Sequence, residues 1–112
     1  MRKLTISILI AAVALLALPV LAGSASAATV SLGDNFFAPS AKTISAGAKV
    51  RFNWTGRRRH NVTKASGPGA FFASASTNRR GVNFAKRFNK RGTYRLYCSL
   101  HPRQMQMTLR VR

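Results

Sequence analysis

Two stretches near the end of the chain alternate apolar and polar residues without a break, and they limit the fold more than any other feature. Thr93-Tyr94-Arg95-Leu96-Tyr97-Cys98 puts Tyr94, Leu96 and Cys98 on one face. Met105-Gln106-Met107-Thr108-Leu109-Arg110-Val111-Arg112 sets four apolar residues against four polar ones. A period of two is the mark of a strand with one buried face. Lys49-Val50-Arg51-Phe52-Asn53-Trp54 repeats it, with Val50, Phe52 and Trp54 on the apolar side. Further short strands are expected at Thr29–Leu32, Phe36–Ala38, Lys42–Ile44 and Val82–Phe88, the last with Phe84 and Phe88 inward. Turn signals separate them: Gly33-Asp34-Asn35, Ser45-Ala46-Gly47 and Asn89-Lys90-Arg91-Gly92. Pro39 places the second strand at an edge or a bend. Residues 65–81, rich in Gly, Ser, Ala and Asn, read as a long loop with room for a short strand or turn. No helical apolar period follows residue 27. The expected fold is all-β, a sandwich of two sheets.

The first 27 residues stand apart. Arg2 and Lys3 precede an apolar run from Leu4 to Leu21, and Ala25-Ser26-Ala27 has the small-x-small form of a cleavage site. This is the pattern of a secretory signal peptide. The run is almost long enough to span a bilayer, so a retained anchor is the competing reading. Cleavage would leave an exported domain of residues 28–112, periplasmic, extracellular or attached to the envelope. A domain this small buries somewhat over ~60% of its unfolded surface, a marginal core. Small exported domains often add disulfides. This chain has a single cysteine, Cys98, and cannot make one within itself. Metal ligation would both occupy the thiol and staple the fold.

The donors for that are present. Cys98, His101 and Met105 put a thiol, an imidazole and a thioether within eight residues, and the only other histidine is His60. Two imidazoles, one thiolate and a weak thioether form the ligand set of a blue-copper electron-transfer site. Zinc could occupy the same donors, but a thioether is a poor choice for a dedicated zinc site. Taken singly, each residue has an ordinary reading as a buried thiol, a loop histidine or a core methionine. Together they use every His and Cys of the chain.

Gly92-Thr93-Tyr94-Arg95-Leu96-Tyr97-Cys98-Ser99-Leu100-His101, with Met105 after it and His60-Asn61-Val62 upstream, resembles the plastocyanin/azurin group of cupredoxins. Phe37-x-Pro39, Gly47-x-x-Val50 and the Phe84/Phe88 spacing extend the resemblance over nearly all of residues 28–112. It implies a Greek-key β-sandwich holding one type 1 copper through His60, Cys98, His101 and Met105. The axial position is a choice between two methionines. Aligning the final strand puts Met105 at the ligand and Met107 where the family commonly has Gly, so a bulky side chain stands near the copper loop. The implied activity is transfer of single electrons between redox proteins by a monomer. A copper carrier or resistance protein with the same ligands, and a basic envelope-binding module, are the alternatives.

Charge bears on partners. Without Arg2 and Lys3, 17 basic residues face one acid, Asp34, for a net charge of about +16. Such a field attracts acidic proteins, anionic envelope polymers and anionic membrane surfaces. Arg57-Arg58-Arg59 immediately precedes His60. One charge ~10 Å from the metal at an effective dielectric of ~20 contributes ~1.7 kcal/mol before screening, or ~70 mV on a one-electron couple. The three arginines are therefore expected to raise the potential and steer redox partners with acidic surfaces. Nucleic acid is not an expected partner: Phe36, Phe52, Trp54, Phe84, Phe88 and Tyr94 fall largely on core faces instead of forming a stacking platform. An enzyme is not expected either. One acid excludes paired-carboxylate chemistry, and no nucleophile–base pair is evident.

Overall fold

The computed structural model describes residues 27–112, which form eight strands and, among the described residues, no helix. The strands are β1 (Ala27–Gly33), β2 (Phe36–Ala38), β3 (Ala41–Ile44), β4 (Ala48–Trp54), β5 (Thr63–Ser66), β6 (Gly81–Phe88), β7 (Gly92–Tyr97) and β8 (Gln106–Val111). They build the expected two-sheet sandwich. One sheet has the order β2-β1-β4-β6 and the other β3-β8-β7-β5. The expected leader, residues 1–27, lies outside the described residues except for Ala27, which opens β1 opposite Lys49.

The alternating stretches carry the core. Ala48, Val50, Phe52 and Trp54 of β4 are buried, as are Val30 and Leu32 of β1, which pair with Phe52 and Trp54 in a parallel ladder. The other sheet answers with Tyr94 and Leu96 of β7 and Met107, Leu109 and Val111 of β8. Burial of one large apolar side chain is worth about 1.5–3 kcal/mol, so strand phase is set by which face meets the other sheet. β2 is an edge strand ending before a cis Ala38–Pro39 bond, as the proline requires.

The segment expected as a loop from residue 65 is more ordered than its composition implies. β5 runs through Ser66, and isolated bridges tie Thr63 to Ala73 and His60 to Thr77. It carries no apolar alternation because two consecutive polar residues are buried: Thr63 and Lys64 are 5% and 6% exposed. The Lys64 ammonium donates to the carbonyls of Pro68 (2.6 Å), Gly69 (2.7 Å) and Ala70 (3.2 Å). Three carbonyl dipoles thus do what a carboxylate would do in a less basic chain. Phe72 turns inward and stacks on Phe84 at 5.9 Å, sealing the open side between β5 and β6. On β6 the inward phase holds at Phe88 and weakens toward the other end, where Phe84 is half-buried and Val82 is 51% exposed.

Candidate metal centre

All the donors named from the sequence lie at one end of the sandwich, where β4 and β7 run out. Trp54 closes β4, and its indole Nε1 donates to the His60 carbonyl at 3.2 Å. The His60 backbone is fixed further by reciprocal bonds with Thr77, 3.0 and 3.1 Å. Cys98 follows the last residue of β7. Its amide donates to Met105 O (3.0 Å), His101 N donates to Cys98 O (3.1 Å), and Met105 N donates to His101 O (3.0 Å). The loop is therefore closed by its own backbone and returns Met105 beside Cys98.

One ligand atom each from His60, Cys98 and His101 lies within 4.8 Å of the others. The two imidazole centroids are 5.2 Å apart and tilted by 59°. His60, Cys98 and Met105 are fully buried, and His101 is half-buried. β-sheet register separates the two methionines. Leu96 pairs with Met107, so Met107 sits two residues deeper, packed in the core. Met105 precedes β8 at the level of Cys98, where its thioether would be the one available as a fourth, weak donor to an ion held by His60, Cys98 and His101. The bulk of Met107 is absorbed by the hydrophobic core.

The neighbours of these donors were not legible in the sequence. Asp34, in the β1–β2 turn, accepts on a single oxygen from Arg57 N (2.9 Å), Arg58 N (2.8 Å) and His60 Nε2 (3.0 Å). The Arg58 amide above all, and then the His60 ring, lower the Asp34 carboxyl from 3.8 to about 2. Because Nε2–H is donated to the carboxylate, the His60 lone pair is left on Nδ1. Gly56 makes room for this contact, since a Cβ there would collide with Asp34 Oδ1. Being the chain's only acid was the one available signal for Asp34. Asn61 knits the two ligand segments together. Its backbone N–H donates to Cys98 Sγ (3.4 Å), its Oδ1 accepts from Ser99 N (2.9 Å), and its Nδ2 donates to Ser99 Oγ (2.7 Å) and Ser76 Oγ (2.8 Å). Arg57, Arg58 and Arg59 are all exposed on the approach to His60, and Arg59 Nη2 donates to Ser76 O at 3.0 Å.

The donors fit a metal ion on the structure's own terms. Among the described residues, His60 Nδ1 and His101 Nε2 are buried ring nitrogens without a hydrogen-bond partner. An unpartnered buried polar atom costs about 1–3 kcal/mol, and two beside a buried thiol are accounted for by a shared cation. A family profile described as copper-binding proteins of the plastocyanin/azurin family matches residues 25–112. The chain belongs to that family. In this cupredoxin the residues that would hold copper, in a type 1-like arrangement, are His60, Cys98 and His101, whose donor atoms converge, with Met105 beside them.

Solved structures agree on the fold. A reduced amicyanin variant is 20% identical with a TM-score of 0.68, over 77% of this chain and 82% of that one. A purple cupredoxin from Nitrosopumilus maritimus is 25% identical with a TM-score of 0.64, over 76% of this chain and 99% of its own. A copper-containing nitrite reductase from Thermus scotoductus SA-01 is 25% identical with a TM-score of 0.68, over 94% of this chain but only 25% of the enzyme. None of the curated proteins matches the sequence.

Proposed function

We propose that this cupredoxin is an exported single-electron carrier working between larger redox proteins, and not an enzyme. The observation that supports this is closure. Three of the four donors are fully buried and the fourth is half-buried, so an ion held among them would be shielded from a substrate. Bound copper supplies a one-electron Cu(I)/Cu(II) couple. The chain's part is to keep the donors still while the charge changes. Asp34 and the Thr77 bridge hold His60. Asn61 locks the Cys98 segment, and the backbone ring from Cys98 to Met105 holds the loop. Export follows from the leader pattern, and a monomer is the working state.

The exposed Arg57, Arg58 and Arg59 suit an acidic redox partner. Screening at physiological salt reduces the ~70 mV per charge to ~20 mV at ~10 Å. Arg57, Arg58 and Arg59 all changed to Gln should therefore lower the potential by ~60 mV. The same change should flatten the salt dependence of electron transfer to an acidic protein. Voltammetry of the copper-loaded protein is the test. A reversible couple with fast electron exchange supports a carrier of electrons. Tight copper binding with slow, irreversible electrochemistry would favour a carrier of copper instead.

A further inference from the structure

The β5–β6 connection presents an aromatic side chain to solvent on a loop that is held rigid. Gly67 (φ +129°) and Gly69 (φ +81°) allow the turn, and Pro68 packs so closely on Gly92 that a Cβ there would lie 2.6 Å from its Cγ. The buried Lys64 ammonium gathers the carbonyls of residues 68, 69 and 70 on the inside of the turn. Lys64 N bonds Phe72 O at 3.0 Å and so closes it. The consequence falls on the Phe71-Phe72 pair. Phe72 enters the aromatic cluster with Phe84 and Phe88, and Phe71 is left 71% exposed. It is the most exposed large apolar residue among those described.

Cations lie near it. Lys86, Arg87 and Lys90 line a cavity of about 210 Å³ together with Phe71, and Arg95 lines a groove of about 750 Å³ that Phe71 also borders. None of them has a carboxylate partner; the one ion pair among the described residues is His60–Asp34. Lys86 occupies an inward phase of the edge strand β6, its ammonium 4.8 Å from the Phe72 ring centroid and 5.7 Å from that of Phe88. Its charge therefore sits over the aromatic cluster beside Phe71.

We propose that this face docks on an anionic lipid bilayer, with Phe71 seated among the headgroups and Lys86 and Lys90 on lipid phosphates. One rigidly projected aromatic within a cationic ring suits a medium that is anionic outside and apolar inside. A protein interface would instead offer a broader apolar core, and a nucleic-acid platform would offer neighbouring exposed aromatics for successive bases. The face adjoins the metal end: Phe71 lines one groove with Tyr97, which precedes Cys98, and Pro102, which follows His101, while Lys90 lies in the turn at the other end of β7.

The test uses the copper-loaded protein without residues 1–26, which retains every core residue named above. It is sedimented at near-physiological salt with vesicles of phosphatidylcholine, with and without phosphatidylglycerol. Binding is expected only to the anionic vesicles. F71A should weaken it about tenfold, and K86Q/K90Q together about thirtyfold, with the copper absorption of each variant unchanged. F71W adds a fluorophore to a chain whose Trp54 is buried; its emission should shift blue on anionic vesicles and be quenched by brominated lipid. Wild-type vesicle binding by F71A would overturn the proposal, leaving diffuse charge as the cause. An F71W emission that stays solvent-like on bound vesicles would overturn it as well. So would a Phe71-dependent complex with an acidic protein or with single-stranded DNA in place of vesicles.

Discussion

Asp34 provides the sharpest test of how the metal ligands are held. Its single oxygen joins the β1–β2 turn to the backbone of Arg57 and Arg58 and to the His60 ring, at 2.8–3.0 Å. Among the described residues no other side chain bonds the His60 imidazole, and His60 Nδ1 has no partner. Removal of Asp34 frees the ring to rotate and to exchange tautomers. Losing a hydrogen-bonded partner of a metal-bound histidine typically costs 10–100-fold in affinity. Three donors converge here, so Asp34→Ala belongs at the upper end, a loss of about 100-fold. Asp34→Asn keeps an acceptor oxygen but removes the charge, and should fall near tenfold. Gly56→Ala reaches the same contact from the other side, by pushing a methyl into Oδ1. Because both changes act on one oxygen, the double variant should lose less than the sum of the singles. Competition against a Cu(I) chelator measures each value, and urea unfolding of the apoproteins separates loss of ligation from loss of fold. Wild-type affinity and an unaltered visible spectrum in Asp34→Ala would refute the reasoning.

Three further outcomes follow from the packing. Lys64→Met strands three loop carbonyls and should cost about 2–4 kcal/mol in urea unfolding, with faster proteolysis between residues 66 and 72. Met107→Ala should cost about 2–5 kcal/mol as a core cavity while leaving the visible spectrum alone, whereas Met105→Ala should change the spectrum and the potential. Tyr94 is buried, which raises its hydroxyl above 10.0, and it donates to Lys90 O at 2.6 Å. Its pKa is higher folded than unfolded, so its contribution is complete below pH 10 and is lost as pH rises toward the folded value. Urea titrations on either side of pH 10 should show wild type losing more stability than Tyr94→Phe, by up to ~1.4 kcal/mol per pH unit.

What could be read from the residues alone divides along physical lines. Strands β4, β7 and β8 were legible because burial on one face writes itself as a period of two. His60, Cys98 and His101 were legible because soft donors at family spacing have few other uses in so small a chain. The start of β5 was hidden because its buried positions are Thr63 and Lys64, made tolerable by carbonyls of a loop that the sequence alone does not fold. Asp34 was hidden for a different reason. Its partners are 23–26 residues away, and they meet it only once β1 and β4 lie parallel. The choice between Met105 and Met107 needed the Leu96–Met107 register, a cross-strand fact.

The central claim is that Cys98, with His60 and His101, binds copper through its thiolate. Addition of Cu(II) to the purified protein should produce an intense visible thiolate-to-copper band at one equivalent, absent in Cys98→Ser. No band in the wild type, or a band that persists in Cys98→Ser, would contradict it.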